Sequence, residues 1–149
     1  IRDSDIYYML GNLYEDKEKS EQAYRLAARG EFNLSSAMYY NDQPPQMMYY
    51  SAKAIEALGD KDEAKKRFNA FIEYANNHMN DEMKIDYFAV SLPDFLIFEG
   101  DLNKNNKVHC NLMAALGYLG IGDNDNAQKY AKQGLELNQC HAELRDIVK

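Results

Sequence analysis

Apolar positions along the chain fall on helical spacing in paired segments. Met48, Ala52, Ile55 and Leu58 stand at i, i+4, i+7 and i+10, one face of a helix. Ala64, Phe68, Phe71, Ile72 and Ala75 do the same on a partner helix. Between them, Gly59-Asp60 supplies a glycine that tolerates a left-handed helix end and an aspartate that caps the next helix. The string Leu58-Gly59-Asp60-Lys61-Asp62-Glu63-Ala64 returns as Ile121-Gly122-Asp123-Asn124-Asp125-Asn126-Ala127. A third segment reads Tyr7-x-x-Leu10-Gly11-x-x-Tyr14, followed by Ala23 and Ala27. Small residues (Gly11, Ala52, Ala64, Ala115, Ala127) let two helix backbones approach, and Tyr14, Phe68, Phe71 and Tyr118 fill the space beside them. The pattern predicts an all-α protein built from repeated helix pairs.

These registers resemble the tetratricopeptide signature, W-x2-L-G-x2-Y followed by A-x3-F. Tyr7 takes the tryptophan slot, and Leu10, Gly11, Tyr14 and Ala23 match directly. Ala52, Ile55, Leu58, Gly59, Ala64 and Phe68 occupy signature positions in the second unit, and Ala115, Tyr118, Gly122, Asp123 and Ala127 in the third. The resemblance implies a right-handed superhelix of three helix–turn–helix repeats in a single domain, 1–149. Repeat 1 falls at about 4–37, repeat 2 at about 45–78 and repeat 3 at about 108–141. The end, about 141–149, forms a capping helix or the start of a further unit, with Leu144, Ile147 and Val148 on one side.

A regular unit is about 34 residues long, whereas Ala23 to Ala64 spans 41 and Ala64 to Ala127 spans 63. The first excess sits around Ser35 to Pro45, where Asn41-Asp42-Gln43-Pro44-Pro45 reads as a loop and Pro45 as the first turn of a helix. The second is a helical insertion at about 80–107. It offers a helix through Met83, Ile85, Tyr87 and Phe88, then a second start at Ser91-Leu92-Pro93-Asp94 leading into Phe95-Leu96-Ile97-Phe98, with Gly100 and Asn103-Lys104-Asn105-Asn106 ending it. Asn41 to Pro45, Lys84 to Leu96 and Val108-His109-Cys110 are similar to the C-terminal tetratricopeptide part of large bacterial proteins that carry a β-sandwich region upstream, thought to be carbohydrate-associated. That likeness implies a fragment of a longer chain and adds no catalytic residue.

In tetratricopeptide arrays positions 2, 5, 9 and 12 of each first helix line a concave groove. The resemblance therefore assigns a partner-binding groove to Asp5, Tyr8 and Asn12 with Gln46, Tyr49, Lys53 and Glu56, a mixture of polar and aromatic side chains suited to a peptide. The third set, His109, Leu112, Leu116 and Leu119, is apolar, so the helix from about Lys107 to Leu119 is apolar on both sides and needs a cover. The inserted Phe95 to Phe98 segment is the expected cover, with a second copy of the protein as the rival. The terminal-carboxylate clamp of chaperone-tail binders is not expected: Asn12 fits one slot, but Tyr8, Tyr49 and Leu112 stand where lysine or asparagine would be needed.

The net charge of −7 opposes a nucleic-acid groove, which would be basic. No apolar run reaches the ~18 residues of a membrane span, and Cys110 and Cys140 form no disulfide framework or Cys-x-x-Cys motif. The expected setting is cytoplasmic, with an upstream signal left open by a chain that starts at Ile1. His109-Cys110 and Cys140-His141 lack zinc-ligand spacing, adjacent helical residues point about 100° apart and do not pair as nucleophile and base, and Asp94 after Pro93 reads as helix-start stabilisation, with Asp86 an exposed helix residue. No metal, cofactor or catalytic residue is assigned. Twelve tyrosines stand out, and those exposed among Tyr39, Tyr40, Tyr49, Tyr50 and Tyr87 would anchor a partner or stack on sugar. The expected function is non-catalytic binding of a protein or peptide, the alternative an oligomerisation or scaffold role, including a homodimer.

Overall fold

Capping aspartates set the register of the helices. The computed structural model describes residues 3–36, 44–82 and 95–149, with side chains in the last stretch from 102 onward. Among them are seven helices and no strand: α1 (Ser4–Leu13), α2 (Lys17–Ala27), α3 (Pro45–Ala57), α4 (Lys61–His78), α5 (Phe95–Gly120), α6 (Asn124–Leu137) and α7 (Ala142–Ile147). Asp16, Asp60 and Asp123 each accept a hydrogen bond from the backbone N–H three residues on, at 3.0, 3.1 and 3.1 Å, which satisfies an otherwise orphaned donor of α2, α4 and α6. The α3–α4 and α5–α6 turns share one geometry. Gly59 and Gly122 take left-handed φ of 103° and 84°, and the following aspartate N–H reaches back to Ile55 and Tyr118 carbonyls.

Helices pair as α1–α2, α3–α4 and α5–α6, and each pair stacks on the one before through α3 and then α5, with α7 closing the end against α5 and α6. The core runs through Met48, Ala52, Phe68, Phe71, Leu112, Met113, Leu116 and Leu144. From Val108 to Gly117 every residue of α5 is buried, so this helix is the shared centre of the stack.

Three expectations change. The first pair has no glycine in its turn: Tyr14 ends α1 in an extended conformation. Counting four residues on from the capping aspartates gives Ser20, Ala64 and Ala127, so Ser20 rather than Ala23 fills the close-packing slot of the first pair. Ser20 Oγ donates to the Gly11 carbonyl at 2.7 Å, which marks the close approach of α1 and α2. Tyr14, expected to fill space between helices, is 44% exposed because α1 stops a turn short of where α3 and α5 end relative to Ala52 and Ala115.

The third change concerns the insertion. Gly100 and Asn103 to Asn106 do not end a helix, because α5 runs unbroken through them for 26 residues. Tertiary packing overrides their weak propensity: Asn106 is buried and its Nδ2 donates to the His78 carbonyl at 2.8 Å, closing the C-terminal end of α4. The helix expected over Met83 to Phe88, the Ser91 to Asp94 start and the Asn41 to Gln43 loop lie outside the described residues.

Gly117 is the tightest test of the stack. A Cβ there would sit 2.7 Å from the Phe68 carbonyl oxygen and 3.0 Å from Phe71 Cβ, so the backbones of α4 and α5 would have to separate. Gly117→Ala should therefore destabilise by about 1–3 kcal/mol, opposite in sign to the ~1 kcal/mol that alanine gains over glycine in an open helix. Urea unfolding of the two proteins measures it.

Candidate functional site

Two clefts open beside the first helices α1, α3 and α5, one closed by α7 and the other by α4. The first, of about 390 Å³, is lined by Asp5 and Met9 on α1, Gln46, Tyr49 and Tyr50 on α3, Leu116 and Leu119 on α5, and Glu143, Asp146, Ile147 and Lys149 at α7. The second, of about 610 Å³, is lined by Tyr8, by Lys53, Glu56 and Ala57 of α3, by Lys61, Lys65 and Phe68 of α4, and by Gly120 and Ile121. The structure thus brings Asp5, Gln46, Tyr49, Leu116 and Leu119 together in one cleft and Tyr8, Lys53 and Glu56 in the other. Asn12 is exposed and its Oδ1 accepts the Tyr24 hydroxyl at 2.8 Å.

An aromatic cluster links the two clefts. Tyr8 packs on Tyr24 and Tyr50 at ring separations of 5.9 and 5.6 Å, and Tyr49 packs on Tyr50 and Phe68 at 5.3 and 5.8 Å. Tyr49 is mostly core, with its phenol pKa raised far above normal by burial and then by Tyr50 and Tyr8. Tyr50 is the more open ring; burial raises its pKa first, then the carboxylates of Asp5 and Asp146. Lys53 Nζ pairs with Glu56 at 2.8 Å, whereas Lys61 and Lys65 form no ion pair among the described residues.

Phe95 and Phe98, expected to cover Leu112, Leu116 and Leu119, belong to the first turn of α5 itself. At 1.5 Å per residue, Phe98 lies about 21 Å along the axis from Leu112, too far to fold over it. Leu112 and Leu116 join the core with Met48 and Tyr49 from α3 and Leu144 and Ile147 from α7, and Leu119 remains half-buried in the first cleft. Helix α7 is tied down at several points. Gln46 Nε2 donates to Glu143 Oε1 at 2.8 Å across two helix pairs, Gln128 Nε2 donates to the Ile147 carbonyl and Gln128 Oε1 accepts from the Lys149 N–H. Glu143 has its pKa lowered on balance: burial raises it, but hydrogen bonds from its own N–H and from Gln46, with His141 nearby, lower it more.

His109 does not line the groove. It is 2% exposed, with Nε2 2.8 Å from the Ser35 carbonyl and the Tyr74 ring edge-on at 5.7 Å. Cys110 donates instead to Asn106 Oδ1, and burial, then Asp81, pushes its thiol pKa up to about 12, which keeps it protonated and unreactive at neutral pH. Among the described residues no three His, Cys, Asp or Glu side chains converge as metal ligands. Asp86 and Asp94 lie outside those residues.

Sequence reasoning missed Met9, Lys61, Lys65 and the part that α7 takes in the first cleft, and it named Tyr50 as an anchor only if exposed. Met9 and Tyr50 stand one position after the assigned inner sites Tyr8 and Tyr49, and Lys61, Lys65 and Phe68 share one row of α4 at i, i+4 and i+7.

A tetratricopeptide repeat family model matches residues 4–26, which cover α1 and most of α2. With its stacked helix pairs the chain has the fold of a tetratricopeptide helical-repeat superhelix. No solved structure matches it.

Burial lowers the His109 pKa below 6.5, opposed in part by the Ser35 hydrogen bond and reinforced by His141 and His78. As the pH falls through about 6.5 the unfolded chain takes up this proton first, so the contribution is whole above that pH and declines below it. The urea midpoint should therefore fall between pH 7.5 and 5.5. His109→Gln, which keeps a donor toward Ser35 without a titrating ring, should flatten part of that fall.

Proposed function

We propose that this domain is a non-catalytic module that holds a peptide or protein segment in the concave groove, across the two clefts beside α1, α3 and α5. Tetratricopeptide repeats generally mediate protein–protein interactions. The observation that carries the reading here is the first cleft: a half-open aromatic ring, Tyr50, and apolar Met9 and Leu119, flanked by the polar ends of Asp5 and Gln46. Aromatic and apolar anchors with a polar rim are the composition of a protein interface centre. Lys53 and Glu56 extend the surface into the second cleft beside Tyr8. The net charge of −7 favours a protein partner over nucleic acid. No helix among the described residues is long and apolar enough to cross a membrane, and a cytoplasmic setting suits the free cysteines.

The second reading, self-association or packing on another part of a larger chain such as an upstream carbohydrate-associated region, is favoured by the apolar side chains exposed on α1.

Selection of peptides from a random library on the folded domain tests the first reading. Selected peptides should lose about tenfold or more in affinity on Tyr50→Ala and on Leu119→Ala, while Lys132→Ala on the exposed side of α6 leaves them unchanged. Peptides indifferent to both groove substitutions would sink it.

A further inference from the structure

Each helix pair rests on the one before it through the same row of its first helix. On α3 the row is Met47, Ser51 and Ala54; on α5 it is Cys110, Ala114 and Gly117, at i, i+4 and i+7. Ser51 Oγ donates to the Ala28 carbonyl at the end of α2, and Met47 and Ser51 enclose a crevice with Arg29 and Phe32. On α5, Gly117 lies against Phe68, Phe71 and Ile72 of α4. Ser51, Ala54, Cys110, Ala114 and Gly117 are all buried.

The close-packing residues Gly11, Ala52 and Ala115 place the same row of α1 at Ile6, Leu10 and Leu13. There Ile6 is 53% and Leu13 77% exposed. Of the six large apolar side chains exposed among the described residues, Ile6, Met9, Leu13 and Tyr14 belong to α1 and its end. A repeat that ends an array needs a polar outer face, whereas α1 presents the apolar row that the later pairs bury.

We infer that the Ile6–Leu10–Leu13 row is a stacking surface for the second helix of a further helix pair, docked ahead of α1 as α2 docks on α3 and α4 on α5. The continuity of that repeated interface identifies the occupant. Its chemistry follows from size. Because α1 carries isoleucine and leucines where α3 and α5 carry mostly small residues, the facing helix must offer alanine, glycine or serine for the backbones to approach as closely. Among the helices that cover such a row in this chain, α2, with Ala23, Ala27 and then Ala28, fits better than α4, with Phe71 and Ile72.

The test fuses a duplicate of residues 4–44 ahead of Ser4 in the whole chain, so that the second α2 reaches α1 through the connection it makes to α3. A parallel fusion carries a duplicate of residues 45–94, with the bulkier α4 face. Hydrogen exchange of the α1 amides and the thermal midpoint are read with and without Ile6→Lys plus Leu13→Lys. The unfused chain should be a monomer whose midpoint the double substitution moves by no more than about 2 °C. In the first fusion α1 protection should rise about tenfold or more, and the same substitution should lower the midpoint by about 4 °C or more; the second fusion should gain less. Equal effects of the substitution in fused and unfused chains, or no gain in protection in either fusion, would overturn the inference. An unfused dimer that the double substitution dissociates would overturn it too, by giving the row to a second copy.

Discussion

Two helices can cross closely only where at least one of them lacks bulk, and the stack is organised by where that happens. Gly11 faces Tyr24, Gly117 faces the backbone of α4 at Phe68, Gly120 faces the Phe68 ring and Gly134 receives Leu144. Close approach buries Ala52, Ala64, Ala115 and Ala127 completely, and excludes water from surfaces worth roughly 25 cal/mol per Å². It also fixes which side of each first helix turns outward. The two clefts exist because α1, α3 and α5 are held at that spacing, with Tyr8, Tyr49 and Tyr50 standing between them.

Much of this was legible in the chain. Gly59-Asp60 and Gly122-Asp123 share one turn geometry, so the second and third pairs could be aligned residue by residue. The first pair could not, because its turn lacks a glycine and α1 is a turn shorter; an alanine three residues past the true slot, Ala23, looked like the match when Ser20 holds the position. Asparagine and glycine around Gly100 to Asn106 suggested a helix end that tertiary packing abolishes, since Asn106 spends its amide on the end of α4.

The inner surface was legible as a list of positions and not as a shape. Side chains assigned to the groove at Asp5, Gln46, Tyr49, Leu116 and Leu119 meet in one cleft, yet nothing in their spacing showed that α7 would reach across to Gln46 through Glu143. Nor could periodicity show that Leu112 and Leu116 are covered by α3 and α7, because a cover 30 residues downstream is a long-range contact that local pattern does not encode. The inner surface is therefore narrower than three open repeats would make it: α7 closes one cleft beside Leu119, and Lys61 and Lys65 of α4 wall the other.

The dependence of the stack on small-against-bulky contact is tested most directly by a double-mutant cycle at Gly11 and Tyr24. A Cβ on Gly11 would fall on the Tyr24 ring, which is held by the Asn12 hydrogen bond and by Tyr8. Chemical unfolding of the wild type, Gly11→Ala, Tyr24→Ala and the double variant should show strong coupling, with Gly11→Ala costly beside tyrosine and nearly harmless beside alanine. Additive costs would mean that α1 and α2 do not meet at this point, and the register on which the clefts depend would be wrong.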